Sequence, residues 1–207
     1  MSSYPGGDSR EYKPYEDPAL LEQQRLAQQL GPCPKGGTHE LRLQTQPTTR
    51  QTQIALWSEI ILAYFMHHKL YRLELSESLN GELFDNKGIK RRLKLGTLQC
   101  IIDAMVKQGT AEWDLQSKKN VALIYWRKPE EWATIINNWV FNSGMTNSIL
   151  TVYEIAHGDI TEGLDFHGLD QTILLKSLDI LVKRGLAQLF QGTSTEDMGV
   201  KFFGTNG

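Results

Sequence analysis

Apolar residues along this chain recur at two periods, and the periods alternate in a fixed order. Ile54, Trp57, Ile61, Tyr64 and Phe65 fall on one face at helical spacing. Thr48 or Thr49 has the side chain to cap the start of that helix. The segment LFDNKGIKRRL at 83–93 predicts a second, shorter helix. A third is expected from Thr97, another cap residue, along the stripe Leu98, Ile101, Ile102, Met105 and Val106, to a stop at Gly109. The period then changes. TAEWDL, the polar turn QSKKN and the apolar run VALIYW predict a β-hairpin.

The same order then returns. Pro129 suits a first-turn position, and Trp132, Ile135, Ile136, Trp139 and Val140 make a helical stripe that Ser143-Gly144 ends. NSILTVYEIAHG at 147–158 predicts a short second helix. Asp170 is expected to cap a third, with Leu174, Leu178, Leu181 and Val182 facing inward until Gly185. LAQLF, the turn QGTSTEDMG and VKFF predict a second hairpin. The letters repeat as well. IDAMVKQGTAEW at 102–113 aligns with LDILVKRGLAQL at 178–189, an offset of 76 from Ile102 to Leu178. A self-match at a fixed offset marks two copies of one unit.

Three helices followed by a two-stranded wing is the winged-helix version of the helix-turn-helix. The expected fold is therefore mainly α with small β-hairpins, as two tandem winged-helix domains. The first spans 48–127 and the second 128–203, followed by a tail at 204–207. Residues 1–47 read as a flexible N-terminal arm. Pro5, Gly6, Gly7, Pro14, Pro18 and GPCPKGG at 31–37 interrupt regular structure there, with a short helix possible at 18–30. Each unit is small enough to be marginally stable alone, and the link near Arg127-Lys128-Pro129 is short, so the two are expected to pack together.

Charge and chemistry narrow the function. Lys plus Arg total 22 and Asp plus Glu total 24, a formal net charge of -2 without the basic excess of a dedicated nucleic-acid binder. No apolar stretch approaches a membrane span, and the polar, proline-rich start has no secretory core, which predicts a cytosolic protein. Cys33 and Cys100 read as a loop thiol and a core thiol, not a disulfide framework. No P-loop, GxGxxG, GxSxG or HExxH is present, so no catalytic residue, cofactor or metal ligand is assigned and no enzyme activity is expected. Of the histidines His39, His67, His68, His157 and His167, the adjacent His67 and His68 point about 100° apart on a helix and read as a helix end. Glu130-Glu131 sits where a helix start favours negative charge, and Glu196-Asp197 in a wing turn.

The most basic run is KGIKRRLK at 87–94, with Lys87, Lys90, Arg91, Arg92 and Lys94. It is open to three readings: a solvated helix face, phosphate contact, or docking to an acidic patch on another protein. The third helix of each unit bears on this. In the first it carries Lys107 and Asp103; in the second, Lys176, Lys183 and Arg184 are offset by Asp170 and Asp179. A helix that reads the major groove presents several Arg, Lys, Asn or Gln side chains, so a DNA-binding transcription factor is the alternative, less favoured reading. The five tryptophans, Trp57, Trp113, Trp126, Trp132 and Trp139, read as core, with Trp126 beside Arg127 the one candidate interface anchor.

The stretches TRQTQIALW (49–57), LFDNKGIKRRL (83–93), YWRKPEEWATIINNWV (125–140), TVYEIAHGD (151–159), FHGLDQTILL (166–175) and GVKFF (199–203) together resemble the small-subunit family of the endosomal sorting complex ESCRT-II. The similarity runs in order from about Leu43 to Phe203. The resemblance implies a tandem winged-helix subunit, present as two copies per complex. Its first domain would dock on the larger subunits, vacuolar protein-sorting-associated proteins 22 and 36. Its second would bind an ESCRT-III subunit, vacuolar protein-sorting-associated protein 20 (charged multivesicular body protein 6). Such a subunit bridges ESCRT-II to ESCRT-III and nucleates its assembly as ubiquitinated cargo enters multivesicular bodies. It works in the cytoplasm, recruited to the endosomal membrane surface, with membrane contact indirect and no nucleic acid bound. By position, the resemblance assigns Arg91, with Phe84, to the ESCRT-II core contact, and Ile149, Thr151 and Tyr153 to the ESCRT-III contact. One feature departs from the family: before LQTQP stands GGTHELR instead of proline-proline-aromatic motifs, and the nearest match is KPY at 13–15.

Overall fold

The computed structural model describes residues 39–41, 46–86 and 91–204. The helix expected at 18–30, the break at 31–37, Cys33 and the 205–207 end of the expected tail lie outside the described residues. The chain divides into two compact units, one of residues 1–69 with 74–104, the other of 70–73 with 105–207.

In the first unit, helix α1 (Pro47–His67) opens on Pro47, whose fixed φ and missing N–H suit the first helical position. The cap is therefore Gln46, with extended backbone, and Thr48 and Thr49 lie inside the first turn rather than at the cap. Trp57, Ile60, Ile61 and Phe65 are buried along its length. His67 ends the helix as expected. Strand β1 (His39–Leu41) falls within the stretch expected as an arm, and pairs parallel with β4 (Arg91–Leu93) in the register His39↔Arg91.

The helix expected at 83–93 is not there. The segment forms two short strands, β3 (Asp85–Asn86) and β4, paired antiparallel with Asp85 opposite Arg92. On a helix Phe84 and Leu93 would stand about 180° apart, and Asn86, Lys87 and Gly88 between them carry turn chemistry. Pairing brings Phe84 and Leu93 together: the Leu93 N–H donates to the Phe84 carbonyl at 2.9 Å, and both side chains are buried. The short helix lies earlier, as α2 (Leu75–Ser78). Helix α3 (Leu95–Gln108) begins two residues before the expected cap, so Thr97 sits in its first turn. Leu98, Ile101, Ile102 and Met105 are fully buried, and Gly109 at φ +73° ends the helix where an L side chain would be strained.

The two expected wings are strands β5 (Ala111–Trp113) with β6 (Val121–Ile124), and β8 (Ala187–Phe190) with β9 (Gly199–Phe202). Each gains a third strand that the sequence did not announce. These are β2 (Arg72–Glu74) beside β6 and β7 (Ile149–Thr151) beside β9. Three-residue strands are too short to show a period of two. In the second unit the helices are α4 (Pro129–Asn142), α5 (Val152–His157) and α6 (Gln171–Lys183). Pro129 opens α4 as expected, and the Glu131 carboxylate accepts the Lys128 N–H at 2.8 Å. Asp170 caps α6 as expected, accepting the Thr172 N–H at 2.9 Å.

The core of the second unit joins Trp132, Ile136 and Val140 of α4 to Val152 and Ile155 of α5, Ile173, Leu174, Leu178 and Leu181 of α6, and Val200 and Phe202 of β9. Tyr71, Leu123 and Tyr125 belong to the same cluster. The compact unit and the repeat in the sequence therefore have different edges. The repeat follows the order of helices and hairpins, whereas the unit follows contacts and takes in residues 105–127. Polar contacts reinforce this. Lys176 pairs with Glu112 and donates to the Tyr125 hydroxyl at 3.2 Å, while that hydroxyl donates to Glu112 at 2.8 Å. Burial pushes the Glu112 carboxyl up, but the hydrogen bonds from Lys176 and Tyr125 outweigh it and leave it lowered. Arg72 reaches Asp170 at 2.7 Å and the Thr172 hydroxyl at 2.9 Å.

Two predictions follow from these cores. Ile102→Ala removes a fully buried side chain and is expected to cost about 2–5 kcal/mol in urea unfolding; a loss below about 1 kcal/mol would contradict the burial. Burial, with added push from Asp170 and Asp165 against the opposing Arg127, raises the Tyr71 hydroxyl to about 12. The folded chain thus keeps a proton that the unfolded chain releases near pH 10, so this contribution is whole below about pH 10 and lost as pH rises toward 12. Tyr71→Phe should accordingly show a smaller fall in melting temperature across that window than the parent, and equal falls would contradict the account.

Candidate protein-docking surfaces

Strand β7, the start of α5 and the second wing form one continuous surface. On the sheet β7–β9–β8, Leu150, Val200, Phe202 and Ala187 point to the core. Alternation therefore turns Ile149, Thr151, Gly199, Lys201, Gln188 and Phe190 outward. Two of these are large, apolar and solvent-facing: Ile149 is 62% exposed and Phe190 40%. Gly199 lies between them. A Cβ there would stand 3.4 Å from Ile149 Cγ2 and 3.6 Å from Phe190 Cβ, so the glycine leaves a notch flanked by two apolar side chains.

Thr151 links this face to α5. Its hydroxyl accepts the Glu154 N–H at 3.1 Å, and the Glu154 carboxylate accepts the Thr151 N–H at 2.7 Å, a reciprocal capping box. Thr151 therefore has a local structural task whatever else it does. Tyr153, 51% exposed, is held one turn from His157, the ring centroids 5.5 Å apart. His167 stands beside them, its Nδ1 3.0 Å from the Thr161 hydroxyl. The wing loop closes the arrangement from the other side. The Val152 N–H donates to the Met198 carbonyl at 2.9 Å and the Tyr153 N–H to the Glu196 carbonyl at 3.1 Å. Hydrogen bonds from Thr193 and Ser194 hold the exposed Asp197 carboxyl below its ordinary range.

Ile149, Thr151 and Tyr153 are thus brought together within five residues of chain, and two of the three offer apolar surface to solvent. Phe190 and Gly199 were missed. The alternation in LAQLF carried the signal: counting from the inward Ala187 places Phe190 on the same face as Gln188.

The other candidate pair is placed differently. Arg91 stands on β4, the middle strand of β1–β4–β3, opposite both His39 and Asn86; its side chain lies outside the described residues. Phe84 is 1% exposed, its ring centroid 6.3 Å from that of Trp57, so its side chain is core and holds the strand pair from beneath. Trp126, the candidate anchor, is an internal contact. Its indole N–H donates to the Leu70 carbonyl at 2.9 Å, and its ring stacks on Tyr71 at 5.5 Å. Arg127 completes the cluster, its guanidinium 4.6 Å above the Trp132 ring. Among the described residues no group of three or more His, Cys, Asp or Glu is placed to hold a metal ion, and no helix is long and apolar enough to cross a membrane.

Comparison with known proteins agrees with this layout. Residues 42–170 match the family model described as ESCRT-II complex subunit. The chain is 44% identical over 161 residues to vacuolar protein-sorting-associated protein 25 of Xenopus laevis, a match covering 78% of this chain and 91% of that protein. It is 41% identical over 169 residues to the protein of that name from Dictyostelium discoideum, covering 75% and 86%. Among solved structures, subunit VPS25 of the endosomal trafficking complex ESCRT-II superposes with a TM-score of 0.68 at 26% identity, covering 77% of this chain and 91% of that one. A chain of the ESCRT-II complex VPS22/VPS25/VPS36 matches with a TM-score of 0.67 at 25% identity, covering 78% and 92%. These solved chains agree with two tandem winged-helix domains. The chain belongs to the ESCRT-II complex subunit family.

Proposed function

We propose that this chain is a non-catalytic adaptor. It assembles, in two copies, with larger ESCRT-II subunits of the VPS22 and VPS36 kind, and offers its second repeat to an ESCRT-III subunit, nucleating ESCRT-III assembly at the endosomal surface. The observation that carries the first half is the match to a chain of the VPS22/VPS25/VPS36 complex, which spans 92% of that chain. Nothing beyond a protein surface is required of the fold for this role. The apolar outer face at Ile149, Tyr153 and Phe190 supports the second half, because exposed apolar groups gathered on one surface are what a partner buries.

In this reading the 48–127 repeat makes the ESCRT-II core contact and the 128–203 repeat the ESCRT-III contact. Arg91 pairs with an acidic side chain on a larger subunit, since the planar guanidinium fits a carboxylate bidentately. Phe84 acts by bracing the strands on which Arg91 stands. Arg91→Asp should weaken co-assembly by roughly 2–5 kcal/mol in titration calorimetry against the larger subunits, and an unchanged affinity would remove Arg91 from the interface. Ile149→Asp and Tyr153→Ala should each lower the affinity of the assembled complex for the N-terminal segment of an ESCRT-III subunit by about tenfold or more, with co-assembly intact. Full-strength binding by both variants would place the ESCRT-III contact elsewhere.

A further inference from the structure

The second wing carries a feature that docking alone does not use. Residues 191–197, the loop between β8 and β9, are all solvent-exposed. Within it Ser194 is followed by Glu196 and Asp197, at the second and third positions after the hydroxyl. No Lys or Arg occurs from 185 to 200. A kinase with a basic substrate cleft selects its target by this charge pattern. We propose that Ser194 is a phosphorylation site for such an acid-directed Ser/Thr kinase, and that the phosphate releases the wing loop from the start of α5.

The release follows from where the Ser194 oxygen sits. The Ser194 hydroxyl donates to Asp197 Oδ2 at 2.9 Å and accepts the Asp197 N–H at 3.3 Å. The Thr193 hydroxyl donates to the same carboxylate oxygen. One carboxylate therefore closes the loop by accepting hydrogen bonds from two hydroxyls. In the transfer, Ser194 Oγ forms a bond to the γ-phosphorus of a magnesium nucleoside triphosphate. The bond from that phosphorus to the β,γ-bridging oxygen breaks, the nucleoside diphosphate leaves, and the hydroxyl proton passes to the kinase base. The product has lost its donor to Asp197. It also sets a group of about -1.5 to -2 charge beside Glu196 and Asp197. Repulsion then opens the turn.

The loop has a second attachment that the opening would break. Val152 and Tyr153 lie in the first turn of the six-residue α5, where backbone N–H groups have no partner inside the helix. The carbonyls of Met198 and Glu196 supply those partners. Any effect on ESCRT-III docking rests on the proposed role of Tyr153; the modification and the loss of the two caps do not.

The test uses the full chain with magnesium ATP and casein kinase 2. The product is digested to the 185–201 peptide bounded by Arg184 and Lys201 and read by mass spectrometry. Hydrogen exchange at the Val152 and Tyr153 amides is then measured before and after labelling. The expected result is one phosphoryl group on Ser194, labelling slowed about tenfold or more by Asp197→Asn or by Glu196→Gln, and faster exchange at both amides once labelled. An unlabelled 185–201 peptide, or labelling indifferent to both acidic substitutions, would overturn the site. Labelling with unchanged exchange would overturn the release. Neither readout involves a binding partner, so failure of the docking role leaves its own, separate signature.

Discussion

The fold depends on closing a core that one repeat cannot close by itself. Three short helices and a hairpin enclose little volume, and units of such size leave a large share of their surface in water. Here the closure comes from aromatic side chains at the link between repeats. Trp126 lies over Tyr71 and meets the edge of Trp132, with ring centroids 5.5 and 5.2 Å apart. Arg127 covers the Trp132 face. The arrangement leaves the Trp132 indole N–H buried without a hydrogen-bond partner, a loss of about 1–3 kcal/mol that the packing must offset. Around this cluster, the Glu112–Lys176–Tyr125 and Arg72–Asp170 contacts fix the wing sheet β2–β6–β5 onto α6. The link is therefore structured, and residues 105–127 belong with the C-terminal repeat by contact although they belong with the first by pattern.

That rigidity gives the outer surface its definition. The wing sheet β7–β9–β8 turns one face inward to Val200 and Phe202 and leaves Ile149 and Phe190 outward. The Gly199 notch lies between those two side chains, and a Cβ there would fill it in ordinary contact with both. The loop carbonyls of Glu196 and Met198 finish the N-terminus of α5, so the exposed Tyr153 is positioned by the wing as much as by its own helix.

Much of this was legible in the sequence, and the misses have physical causes. The long helices were readable because their apolar stripes run for three or more turns, and α3, α4 and α6 stop beside Gly109, Gly144 and Gly185, all at positive φ. The cap at Asp170 and the proline at 129 were readable from side-chain chemistry alone. The 83–93 segment was read as a helix although Phe84 and Leu93 would fall on opposite sides of one; the turn chemistry of Asn86-Lys87-Gly88 in the sequence suits the strand pair instead. At Thr48 and Thr97 a good capping side chain was present, but Pro47 and Leu95 already start the helices upstream. Strands β1, β2 and β7, three residues each, exist only through their partners, and no local pattern announces them. At the sites, the exposure of Ile149 and Tyr153 is consistent with residues named by resemblance, while the burial of Phe84 depends on strand pairing that periodicity did not show.

The most direct test of the account is reconstitution of the chain with the two larger ESCRT-II subunits, using the full chain and a version starting at Leu43. Each mixture would be resolved by size-exclusion chromatography with light scattering. The account predicts that the full chain elutes in one complex containing all three proteins, with two copies of this chain; docking retained by the shorter version, which lacks β1, would show that residues 1–42 are dispensable for assembly. Elution of both versions apart from the larger subunits would contradict the central claim and leave the family relationship as ancestry without the assembly.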